Sequence, residues 1–148
     1  MWVVIDIFPL LAIPLLIYNF VVLTGISGQG DQVQSWLAGA VFTIHSFSGD
    51  QWALSTGDIL IVFGVALLFI EIVKSTRTDS LSLINHGIAA LVFVVFLVEF
   101  LTIRGFTTSV FFILMMMQLV DVIAGYTVTA VAAKRDFGGG GPGIIGTH

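Results

Sequence analysis

Asp121 is the residue best placed to do chemistry. At 1.5 Å per residue it lies about 20 Å along a helix from Lys134 and about 22 Å from Phe106, in the middle of a long apolar run. A carboxyl group at that depth in a bilayer costs roughly 2.5–3.5 kcal/mol on insertion scales, so it is expected to face protein, protonated or hydrogen-bonded. Gln118 precedes it by one turn, and Gly125, Thr129 and Ala133 continue its stripe at four-residue steps. Such a ladder of small residues lets another helix backbone come close. Two roles follow for Asp121. One is an interhelical hydrogen bond that locks a bundle, the commoner use of polar residues between membrane helices; the other is a protonatable carboxyl in a transport or ligand site.

The other polar candidates are Glu71, Asn85, His86 and Glu99. Glu71 shares a face with Gly57 and Gly64 at seven-residue intervals and has Lys74 one turn on. It either pairs with Lys74 and reaches the headgroups or turns inward. Asn85 and Glu99, fourteen residues apart, nearly align on one helix, and Glu99 either extends outward or pairs with Arg104, about 7 Å away along the axis. His86 is expected to hydrogen-bond within a bundle rather than to bind a metal. His45, His86 and His148 lie at unmatched depths for a haem held by two histidines. No nucleotide-binding loop, HExxH sequence or basic surface for nucleic acid is present. Neither a catalytic residue, a cofactor nor a metal ligand is therefore expected.

The elements that must position these groups are four apolar runs, Trp2–Leu23, Ile59–Val73, Leu83–Ile103 and Phe106–Ala133. A hydrocarbon core of about 30 Å needs roughly 20 helical residues, which three of the runs supply and the second only approaches. With 57% hydrophobic and 9% charged residues there is too little polar surface to coat a water-exposed globule. The absence of cysteine excludes disulfides and thiolate sites. The first run carries Asp6, Pro9 and Pro14 and is too long for a cleaved signal, so it is expected to remain as a helix. The fold class expected is all-α, an integral membrane four-helix bundle forming one domain over 1–136, followed by a Gly-rich cytoplasmic tail over 137–148.

Lys74 and Arg77 lie between spans two and three and Lys134 and Arg135 follow span four, while only Arg104 lies on the other side. The positive-inside rule then places both termini in the cytoplasm, here of a bacterial inner membrane. Ser55, Thr56 and Asp58, Asp79 and Ser80, and Thr107 or Thr108 offer helix-capping oxygens before spans two, three and four. Gly105 makes the last two spans a tight hairpin. In the long first loop, Val33, Trp36, Leu37, Ala40, Val41 and Ile44 recur at helical spacing, which predicts an amphipathic interfacial helix from Asp31 to about Ile44, covering the outer mouth of the bundle. In the tail, Ile144 and Ile145 are the side chains by which a partner would hold it. The partners expected are the lipid bilayer and other integral membrane subunits or further copies of the chain. Two functions fit: a non-catalytic subunit that assembles with or stabilises a larger membrane complex, or a small oligomeric transporter or channel using Asp121.

Overall fold

The structure, a computed structural model, describes residues 8–76 and 80–138. Its elements in order are α1 (Ala12–Leu23), α2 (Gln32–Leu37), β1 (Ala40–His45), β2 (Gln51–Ser55), α3 (Thr56–Ser75), α4 (Ser80–Thr102) and α5 (Ser109–Gly138). Thr56–Ser75, Ile84–Thr102 and Ser109–Val131 are each long and apolar enough to cross a membrane, whereas α1 is apolar but shorter. The first run is not one continuous helix. Residues 8–11 form turns, because Pro9 lacks the N–H a helix interior needs, and regular helix begins at Ala12.

The second run is longer than its apolar stretch. Ser55 caps α3 by accepting the Asp58 N–H (3.1 Å), and Asp58 Oδ2 accepts the Ser55 N–H in return (2.9 Å). This reciprocal box adds a polar turn at the start. The 20-residue helix reaches about 30 Å, enough to span without thinning the bilayer. At the other end, α5 has 30 residues, about 45 Å, so it runs beyond a hydrocarbon core and carries Lys134 past it. Thr108 opens α5, its hydroxyl accepting the Phe111 N–H at 3.2 Å. Asp79 and the tail residues 139–148, including Ile144 and Ile145, lie outside the described residues.

The interfacial helix expected over Asp31–Ile44 is corrected to two elements. Helix stops at Leu37, and after Gly39 the chain becomes an antiparallel hairpin pairing Phe42 with Leu54, Thr43 with Ala53, Ile44 with Trp52 and His45 with Gln51. Val41, Thr43 and Ile44 are β-branched, and the strand they favour finds a partner in 51–55 once Gly49 turns the chain at φ +91°. The fold is therefore helical with a small sheet. The short helix α2 buries Val33 and Leu37 in the core with Leu15, Tyr18, Phe96, Phe106, Phe111 and Leu114.

Phe111 is the centre of that core, with the rings of Tyr18 and Phe106 at 4.9 and 5.0 Å and Phe96 at 5.9 Å. Tyr18 ties α1 to the α4–α5 turn. Its hydroxyl donates to the Gly105 carbonyl (2.8 Å), which leaves the Thr108 hydroxyl, 2.7 Å away, to donate to Tyr18. Glycines set the spacing of α3 against α5. A Cβ on Gly57 would sit 2.7 Å from Val110, and one on Gly64 would sit 2.6 Å from Leu114 and 3.3 Å from Met117. Replacing Gly64 by Leu is therefore expected to cost about 1–3 kcal/mol through overpacking, while Val62→Leu, at an exposed position of the same helix, stays near neutral. Equilibrium unfolding in mixed micelles measures both. Equal stability of the two variants would remove the close α3–α5 approach from the account.

Candidate functional site

Glu71, Asn85, His86, Gln118 and Asp121 are each at most 3% exposed, and together they form a polar layer between α3, α4 and α5. Three of the helices supply it because each turns one polar stripe inward. Glu71 continues the Gly57–Gly64 face of α3, Asn85 and His86 lie in the first half of α4, and Gln118 and Asp121 lie mid-way along α5.

Glu71 is the most heavily bonded member. Its Oε1 accepts from the Leu10 N–H (3.2 Å), from Asn85 Nδ2 (3.3 Å) and from Lys74 Nζ (3.2 Å), and its Oε2 lies 3.0 Å from the same ammonium. Lys74 Nζ also donates to the Phe8 carbonyl at 3.1 Å. Glu71 thus pairs with Lys74, as one reading of the spacing holds, yet its side chain points inward instead of to the headgroups. Lys74, 13% exposed, brings the compensating charge to it.

Asp121 and Gln118 form the second half of the layer. Gln118 Nε2 donates to the Ala89 carbonyl (3.4 Å) and toward Asp121 Oδ2 (3.5 Å), joining α5 to α4. The His86 ring lies against Gly125, one turn beyond Asp121; a Cβ there would collide with the imidazole. The Tyr126 ring is tilted against that of His86 with centroids 6.3 Å apart. The small-residue ladder therefore works over Asp121 and Gly125, but fades along the helix: Thr129 is half-buried, its hydroxyl turned back to the Gly125 carbonyl (3.0 Å), and Ala133 is exposed. Three acceptor oxygens in the layer, Asn85 Oδ1, Gln118 Oε1 and Asp121 Oδ1, are buried with no hydrogen-bond donor among the described residues. Among those residues no group of three or more His, Asp or Glu side chains could hold a metal ion.

Glu99 does not join this layer. It is half-buried and accepts a 2.9 Å bond from Asn19 Nδ2, so its partner is α1 and not Arg104. The near-alignment of Asn85 and Glu99 on α4 does not bring them to one neighbour, because α3 faces the first and α1 the second. Asn19 and the backbone of Phe8 and Leu10 are the contributors that spacing arguments miss. One signal points to the latter two. Pro9 interrupts an apolar run, and any backbone N–H or C=O freed inside such a run must find a partner in the protein.

The bond pattern describes a layer that can lock helices and that holds spare acceptor capacity for a proton or another donor. Comparison of the chain with protein families, with curated proteins and with solved structures finds no significant match.

Removing the Lys74 ammonium alone leaves the buried Glu71 carboxylate without its counter-charge. Lys74→Met is expected to cost about 3–5 kcal/mol, and the double variant Glu71→Met/Lys74→Met to cost less than that single change. A double-mutant cycle on unfolding free energies reads this directly. Additive losses would show that the two side chains do not stabilise one another.

Proposed function

We propose that the chain is a non-catalytic multi-pass membrane subunit that assembles with or stabilises a larger membrane protein complex, using a trough between α1 and α4 as its docking face. The observation that carries this reading is the wall of that trough. It is a cavity of about 560 Å³, largely apolar, lined by Phe8, Leu16, Leu91 and Val95 among others, with the Asn19–Glu99 pair on it. A half-buried carboxylate facing lipid tails is unfavourable, whereas a partner helix presenting a donor would use its free acceptor capacity. Only 22% of the apolar stretches of α3 and α4 and 33% of that of α5 are buried, so ample apolar surface remains for neighbouring spans or lipid.

In this reading α1 belongs to a fourth span, giving a four-span bundle. Lys74 and Lys134 lie at the end opposite the hairpin, and with Arg77 and Arg135 they favour that end as the cytoplasmic side of a bacterial inner membrane. Ile144 and Ile145 in the tail are candidate contacts for the same partner. Topology is tested by single cysteines at Gln34 and Gly140: an impermeant reagent on intact cells should modify the first and spare the second, and the reverse would invert the orientation.

The docking face is tested by recovery of the complex in mild detergent. Val95→Trp, which fills the trough, is expected to lower the yield of stoichiometric partner subunits several-fold without lowering the stability of the bundle, while Val62→Trp on exposed α3 leaves the yield unchanged. If both variants recover the same partners in the same ratio, the trough is not the docking face.

A second reading, a small oligomeric proton- or ion-coupled transporter or channel, is favoured by the three unpartnered acceptors around Asp121. It requires self-association, since so small a bundle encloses no pore alone. In proteoliposomes carrying a pH-sensitive dye, it expects proton flux that Asp121→Asn abolishes. Absence of flux in the parent protein would leave the structural lock as the role of Asp121.

A further inference from the structure

Among the described elements, the β1–β2 hairpin is the one the bundle does not cover. Paired residues on neighbouring strands point to the same face and successive residues to opposite faces. The observed register therefore puts Phe42, Ile44, Trp52 and Leu54 on one side and Thr43, His45, Gln51 and Ala53 on the other. No residue of β1 is buried. Phe42 is 50% and Trp52 57% exposed, and Phe47, in the turn, is fully exposed.

A two-stranded hairpin is at best marginally stable in water, and one that holds a row of large apolar side chains needs a surface against which to set them. The core does not provide it, because α2 occupies the end of the bundle with Val33 and Leu37. What lies next to the hairpin is the mouth of a membrane-crossing helix. Ser55 is both the last residue of β2 and the cap of α3, and the Thr56 N–H donates to the Gly39 carbonyl at 3.0 Å, so the base of the hairpin is fastened to the first turn of α3 with no linker between. The only charged side chain from Ala40 to Ser55 is Asp50, which accepts a 2.8 Å bond from the Ser48 hydroxyl beside the turn.

We propose that the hairpin lies on the membrane surface, with Phe42, Ile44, Trp52 and the turn residue Phe47 seated among lipid headgroups and upper acyl chains and its Thr43–His45–Gln51 side toward water. Trp52 suits that zone, where its ring meets lipid and its indole N–H meets water, while the Phe42 and Phe47 rings add apolar contact. Lipid is the occupant because the base of the hairpin is fastened to the first turn of α3, a helix long and apolar enough to cross a bilayer whose Ile59, Val62 and Phe63 are exposed. The hairpin has no Lys or Arg to attract anionic headgroups, so its seating rests on apolar contact and is insensitive to salt and to headgroup charge. This proposal stands apart from the docking face between α1 and α4 and needs only that α3 crosses the bilayer.

The experiment uses the full chain with Trp2→Phe and Trp36→Phe, leaving Trp52 as the sole tryptophan, reconstituted in zwitterionic lipid. Lipids brominated near the headgroup end of the acyl chain should quench Trp52 strongly, those brominated near the chain terminus weakly, and dissolved acrylamide several-fold less than it quenches free tryptophan amide. Replacing half the lipid with an anionic one, or raising salt, should change none of these. Phe47→Asp should increase acrylamide quenching while leaving helix content and thermal unfolding as they are. Because the chain has no cysteine, an environment-sensitive fluorophore on Phe47→Cys gives the same reading without altering any tryptophan. Free access of acrylamide to Trp52 with no effect of bromine would show a hairpin standing in water. Protection from both quenchers would show that protein, such as a second copy of the chain, covers it. Either result overturns the proposal.

Discussion

The bonds around Glu71 are the constraint to which the rest of the bundle conforms. In a hydrocarbon medium a backbone group or a charge without an internal partner costs several kcal/mol, so every interruption of a helix must be answered from within the protein. Pro9 makes such an interruption, and the carboxylate of Glu71 answers it by taking the Leu10 N–H, while Lys74 takes the Phe8 carbonyl. Asn85 then attaches α4 to the same oxygen. One side chain on α3 thereby sets where the start of α1 and the first half of α4 must lie.

The bundle consequently has two ends of different character. At the hairpin end, close packing is carried by rings: Phe111 gathers Tyr18, Phe96 and Phe106, and α2 closes the end with Val33 and Leu37. Toward the Lys74 end it is carried by hydrogen bonds and by glycines. Gly125 admits the His86 ring, while Gly57 and Gly64 bring α3 close to Val110 and Leu114 of α5, so the polar groups can meet without their helices being forced apart. The two devices support each other, since hydrogen bonds between helices need backbones near enough to reach, and only residues without a Cβ permit that approach here.

Asp121 differs from Glu71 in what surrounds it. Glu71 has three donors, one of them the Lys74 ammonium, whereas Asp121 has a long bond from Gln118 and leaves one oxygen unpartnered among the described residues. A pure lock would be better made by a fully satisfied network or by apolar packing. That contrast is the physical reason for keeping the proton-handling proposal for Asp121 beside the assembly proposal.

The sequence by itself determined three apolar helices long enough to cross a membrane, the inward direction of Asp121 and Gln118, the α4–α5 turn at Gly105 and the shared face of Gly57, Gly64 and Glu71. These are properties of periodicity and of depth along one helix, and both are read from residue order. Tertiary structure alone decided the rest. Helix and strand patterns over Ala40–Ile44 are both present in the residues, and the availability of Gln51–Ser55 as a pairing strand chose between them. Glu71 could have reached for headgroups or for the interior, and the open backbone at Pro9 together with Asn85 drew it inward. Glu99 bonded Asn19 because α1, and not the Arg104 turn, lies beside it. In each case the local residues allowed two choices, and the partner that settled it came from a part of the chain that no local pattern could place.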